Sequence, residues 1–119
     1  MTEIFASADH ILVTAIKQTR RSLNFTILGL SHATKIPEST LAVIEAGETR
    51  NFDPVKLERI SLAFNMETKA LLGKSIAFTK YLEELGVHIG VAKDPKCVQL
   101  DVNDLVMLHE KYAAHSQPA

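Results

Sequence analysis

Between Phe25 and Gly47 the sequence reads FTILGLSHATKIPESTLAVIEAG. Its polar residues include hydroxyls at Thr26, Ser39 and Thr40, a carboxylate at Glu38 and an ammonium at Lys35. Hydroxyls donate or accept, a carboxylate accepts, and an ammonium is a point charge. Such groups suit non-covalent recognition. Elsewhere the reactive residues are scattered. His10, His32, His88, His109 and His115 form no HxxxH or HExxH pattern, and Cys97 is the single cysteine. His88, Cys97 and His109 would meet only if residues 87–102 folded beside the last helix. No CxxC pair, glycine-rich phosphate loop or GxSxG is present, so no metal, no cofactor and no enzymatic activity are expected.

The elements that must position these residues follow from spacing. Phe25–Gly47 reads as two short helices around the corner Lys35-Ile36. Thr26 caps the first, Pro37 sits in the first turn of the second, and Gly47 stops it. Leu41 and Ile44 form the buried stripe of the second helix, which leaves a small, polar outer face. Two helices so joined are a helix-turn-helix candidate, a unit that docks a helix on DNA.

Before this unit, Ala8 to Leu23 reads as a first helix, capped by Ser7 or Asp9, with Ile11, Leu12, Ala15, Ile16 and Leu23 as its apolar set. Asn24 ends it. After the unit, Asp53-Pro54 opens a fourth helix with Leu57, Ile60, Ala63 and Phe64 inward, and Asn65 ends it. Residues 67–72 read as a short fifth helix with Leu71 and Leu72 inward, broken by Gly73. From Lys74 a further amphipathic helix carries Ile76, Phe78, Tyr81, Leu82 and Leu85 to Gly86. Val87, Ile89 and Val91, then Val98, Leu100 and Val102, alternate around a Pro-containing turn, which is a β-hairpin signal. Asn103 is expected to cap a last helix through Leu105, Leu108 and Tyr112. The chain is therefore expected to be mainly α, with a first domain over 8–73 and an extension over 74–115 made of a helix, a short β-hairpin and a C-terminal helix.

The 119 residues suit one compact domain with a small extension. Apolar residues make up 46% and charged residues 23%, as in ordinary globular proteins. No apolar run approaches the roughly 20 residues of a membrane span. The N-terminus lacks a secretory pattern, and a lone cysteine suits a reducing compartment, so a cytoplasmic location is expected. Net charge is −1, which argues against binding nucleic acid by bulk charge alone. A binder then needs only a locally positive face. Lys17, Arg20, Arg21, Lys35, Arg50, Lys56 and Arg59 make the N-terminal part mildly basic.

At Leu23, Phe25, Thr26, Leu30, Ile36, Ser39-Thr40, Leu41, Ile44-Glu45, Gly47, Leu57, Ile60, Ala63-Phe64, Met66 and Leu71-Leu72, the segment Arg20–Leu72 resembles the Cro/repressor type of helix-turn-helix domain, the XRE family. The resemblance covers about half the chain. It implies a five-helix domain whose recognition helix runs over about 37–46. Pro37, Glu38, Ser39, Thr40 and Val43 take its reading positions. Arg20 and Glu45 take the places of an ion pair that joins two helices, a structural role. This chain departs from the family's pattern at Ile27, where a glutamine is usual, and at Lys35, where a glycine is usual.

At those reading positions Ser39 and Thr40 meet base edges or phosphates, Glu38 accepts from cytosine N4, and Val43 or the Thr40 methyl touches a thymine methyl. Glu38 also reads simply as a favourable acid at a helix start. Phosphate contacts are expected from Thr26, Lys35, Arg50, Asn51 and Lys56; Arg50 reads equally as a solvated loop residue. So few cations per chain make a homodimer on double-stranded DNA the expected working form. Val87, Ile89, Val91, Val98 and Leu100 are expected at the dimer contact, or else packed within one chain. The leading expectation is a sequence-specific transcriptional repressor. The alternatives are an antitoxin or adaptor that binds a protein partner through its C-terminal part and controls its own operon, and a protein-interaction module that no longer binds DNA.

Overall fold

The computed structural model describes residues 2–48 and 52–116. In chain order these form β1 (Ile4–Ala6), α1 (Ala8–Ser22), α2 (Ile27–Thr34), α3 (Glu38–Glu45), α4 (Pro54–Ala63), α5 (Thr68–Glu84), β2 (His88–Ile89), β3 (Val98–Gln99) and α6 (Val102–Ser116). The architecture is mainly α.

The helix starts follow local chemistry. The Ser7 hydroxyl accepts from the His10 N–H at 3.1 Å, Thr26 from Gly29 at 2.9 Å and Asp53 from Val55 at 2.9 Å. Each satisfies one of the amides that a helix start leaves unpaired. The last helix begins differently from expectation. Asp101, not Asn103, caps it: its carboxylate accepts from the Asp104 N–H at 2.8 Å, and the Asp104 carboxylate accepts from the Asp101 N–H at 3.1 Å. This is a reciprocal capping box built from two aspartates.

α1 is the spine. Ile16 joins Leu30, Ile36, Leu41, Leu57, Ile60, Phe64 and Leu71 in one core. Ile11 joins Ala6, Phe78, Leu82, Val87 and Leu105 in a second. Val13 joins Ile44, Val102 and Val106 in a third. Three cores on three sides explain why Thr14 is also fully buried; its hydroxyl donates to the His10 carbonyl at 2.7 Å. Leu23, expected in the stripe, is exposed instead.

Two further expectations are corrected. Gly73 does not break a helix: α5 runs unbroken through it. Leu71, Phe78 and Leu82 are seven and four residues apart, fall on one face and are all fully buried. That face bridges the first and second cores, and its packing outweighs the roughly 1 kcal/mol a mid-helix glycine costs. Leu72, Ile76 and Leu85 point outward. The β-hairpin is also absent. β2 and β3 do not pair with each other; each pairs in parallel with β1, in the order β2-β1-β3. Alternation marks an extended segment but carries no information on its partner, and Ile4–Ala6 is too short to announce a central strand. The Phe5 ring lies 5.1 Å from that of its register partner His88. No described helix is long and apolar enough to cross a membrane.

Candidate functional site

α3 is a short helix held on every side but one. Leu41 and Ile44 are buried, while Glu38, Ser39, Ala42, Val43 and Ala46 face solvent and Thr40 is half-buried. Val43 keeps 43% of its surface. No side chain caps the helix start at Pro37. Its outward residues are therefore short, and none of those described is cationic.

The corner before α3 is tied by side chains. Lys35 adopts the left-handed conformation at φ 62° and donates its N–H to the Ser31 carbonyl at 2.9 Å. A non-glycine residue there costs roughly 1–2 kcal/mol. Three bonds hold the geometry against that strain. The Ser31 hydroxyl donates to the Ile36 carbonyl at 2.6 Å, the Thr34 hydroxyl donates to the Leu30 carbonyl at 2.7 Å, and the Ile36 N–H donates to Thr34 Oγ1 at 3.2 Å. Ile36 itself is buried in the first core. The Lys35 side chain is left at the surface.

Arg20 fixes the far end of α3. Its Nε and Nη2 donate to the two Glu45 carboxylate oxygens at 2.6 and 2.8 Å, and Nη1 donates to the Phe25 carbonyl at 2.8 Å. Both side chains are nearly out of solvent, at 11% and 5% exposed. The fork joins α1, the corner before α2 and α3 with planar, bidentate geometry. Neither side chain is free to meet a ligand.

Sequence reasoning missed the other brace on α3. His10 Nε2 donates to the Gly47 carbonyl at 3.0 Å, and Nδ1 is buried with no partner among the described residues. Gly47 has φ 78°, and a Cβ there would come within 2.6 Å of Val102 Cγ2 and 3.0 Å of the His10 ring. The close of α3 is thus clasped between the starts of α1 and α6. Val102 and Val106 pack on Ile44 from the same side. No local pattern announces a contact between residues so distant in the chain.

The expected recognition residues stand as follows. Pro37, Glu38, Ser39 and Val43 are exposed at α3, and Lys35 and Thr26 are exposed beside it. The Thr26 oxygen accepts the Gly29 N–H, which leaves its hydroxyl proton and a second lone pair to offer a ligand. Arg50 and Asn51 lie outside the described residues. Of the five residues expected at a contact between chains or else packed within one chain, Val87 follows the second of these alternatives. It is 8% exposed and belongs to the second core of its own chain. Leu100 is half-buried against that core. Ile89, Val91 and Val98 are exposed, and Val98 sits beside its exposed register partner Ile4.

A groove of about 1,150 Å³ runs between α1, α5 and α6, with Ala15, Ala70, Gly73, Ala77 and Ala113 among the small residues of its wall and Gln18, Arg21, Lys74 and Glu110 among its polar ones. His109 borders it, its ring 4.8 Å from Phe78 in an edge-on contact. Burial first, then the Lys74 ammonium, lower the His109 pKa below the usual 6.5, with Glu110 opposing. The unfolded chain therefore takes up this proton more readily. The stabilising neutral form is fully in place above 6.5, and its contribution is lost as pH falls through that value toward the folded one. The midpoint of thermal unfolding should drop between about pH 7.5 and 5.5, and His109→Phe should make the drop shallower. Equal pH slopes in the two proteins would rule out this histidine as the cause.

No group of three or more histidine, cysteine or acidic side chains among the described residues could hold a metal ion. No family model matches the chain, and no characterised protein or solved structure matches it either.

Proposed function

We propose that the chain is a sequence-specific DNA-binding regulator of transcription, a repressor that binds as a dimer through α3. In this reading α2, the Lys35-Ile36 corner and α3 form a helix-turn-helix of the Cro/repressor kind, within a five-helix domain made by α1 to α4 and the first part of α5. The supporting observation is the division of α3. Leu41, Ile44 and Glu45 lock it to the body, while Ser39, Ala42, Val43 and Ala46 present a low outer surface. Short side chains let a helix sink into a major groove about 12 Å wide. Glu38, Ser39, Thr40 and Val43 then meet base edges and thymine methyls, with no arginine, glutamine or asparagine among them to make a bidentate pair. Sequence discrimination is accordingly modest, and affinity depends on phosphate contacts and on two protomers acting together.

Exposed Ile89, Val91 and Val98, with Ile4, are apolar groups that a second copy would cover. α6 has a different task from dimerisation alone: it backs the recognition helix through Val102 and Val106.

Selection of bound duplexes from random DNA tests the reading. The expected result is an inverted repeat with half-sites about one helical turn, or 10 base pairs, apart. Absence of any enriched motif, together with no salt-dependent binding to any duplex, overturns it.

A further inference from the structure

Beside the outer face of α3 lies a cleft of about 420 Å³ walled by four helices. Lys17 and Arg21, one turn apart on α1, form one wall. Ala42 and Ala46 of α3, with Ile27 of α2, form the second. Asp101, Val102 and Asn103 at the start of α6 form the third.

The charges lining the cleft are unequally committed. Arg20 and Glu45 neutralise each other through their bidentate bond. The Asp101 carboxylate accepts from the α6 backbone. Lys17 has no ion pair among the described residues, and Arg21 makes only a long 3.4 Å contact to Gln18 on its own helix. Two cations are thus left to act on whatever enters, against one carboxylate already engaged as a cap.

We propose that this cleft seats a backbone phosphate of the DNA entered by α3, bound by Lys17 and Arg21 with the Asn103 amide as a further donor. The proposal rests on the DNA-binding reading above and extends it. Ala42 and Ala46 belong both to the outer face of α3 and to the cleft, so a strand flanking the occupied groove passes the cleft mouth. The alanines keep that wall low, and Ile27 offers the strand no hydrogen bond, which leaves α1 and α6 to supply the donors. Part of the DNA contact then lies outside the helix-turn-helix, on the first and last helices of the chain.

The test uses the full chain and a duplex recovered by the selection, followed by fluorescence anisotropy across roughly 50–200 mM salt. Each lost phosphate contact lowers the slope of log affinity against log salt by about 0.9. Lys17→Gln with Arg21→Gln should weaken binding at least about tenfold and flatten the slope by about 0.9 per protomer, the loss of one phosphate contact. Asn103→Glu, on a different helix, should weaken binding as well, while Lys80→Gln on α5 controls for loss of charge. Unfolding midpoints of the variants confirm that they fold. If the wild-type chain binds DNA but the double variant and Asn103→Glu keep its affinity and slope, the cleft is not a phosphate site and the DNA-binding reading survives. If the wild-type chain binds no duplex, both fall together.

Discussion

Replacing Glu45 by alanine should lower the unfolding midpoint by on the order of 10–20 °C, from a loss of roughly 3–5 kcal/mol. The magnitude comes from what remains behind. Arg20 would keep its guanidinium in a place that is 11% exposed, with only the Phe25 carbonyl to accept from it. An unpaired buried charge is far more costly than a missing bond between exposed groups. Arg20→Ala should be similarly damaging and would free the Phe25 carbonyl as well. The double replacement should cost much less than the sum, because neither charge is stranded. A chain of this size is held by about 5–15 kcal/mol in all, so either single variant approaches the limit of folding. Calorimetry or far-ultraviolet circular dichroism reads the result directly. If Glu45→Ala shifts the midpoint by only a degree or two, the pair is solvated and does not lock α3.

Phe78→Ala should cost a comparable 3–5 kcal/mol, and it bears on how the two halves of the chain are coupled. The ring is fully buried on α5, with ring centres of Tyr81, His109 and Tyr112 at 6.2, 4.8 and 5.6 Å. Its loss empties the middle of the second core. Because α5 passes unbroken from the first core to the second, the damage should reach the helices around α3. The two tyrosines of the chain, Tyr81 and Tyr112, both flank the second core, so their fluorescence follows that core alone, whereas far-ultraviolet circular dichroism follows all the helices. Both signals should fall together, in wild type and variant, at one lowered midpoint. Tyrosine fluorescence lost well before the helical signal would mean that residues 74–115 unfold as a separate unit.

Features closed within a few residues were legible in the chain itself. Thr26 and Asp53 cap helices because a hydroxyl or carboxylate at that offset reaches the next free amide. Asn24, Asn65 and Gly47 end helices because they tolerate positive φ. Leu30, Leu41, Ile44, Leu57 and Ile60 are buried as their spacing requires. The same locality put Glu38, Ser39 and Val43 on an outer face. The Arg20–Glu45 bond was legible only through the likeness to a known domain, since nothing in the spacing of residues 25 apart brings them together.

What the sequence determined by itself is a set of helices, their ends and their apolar faces, including two short helices at a corner. Tertiary structure alone decided which faces meet. Periodicity assigns a residue to a side of an element and is silent on what covers that side. So β1 could enter between two segments that look like a hairpin, and α5 could continue through Gly73 because packing on both sides favours it. For the same reason α6 could come back 55 residues later to hold the end of α3, with Val102 against Gly47. The Phe25–Gly47 stretch contains its own turn and its own outer surface. That surface is also braced from outside the stretch, by Arg20, His10 and Val102.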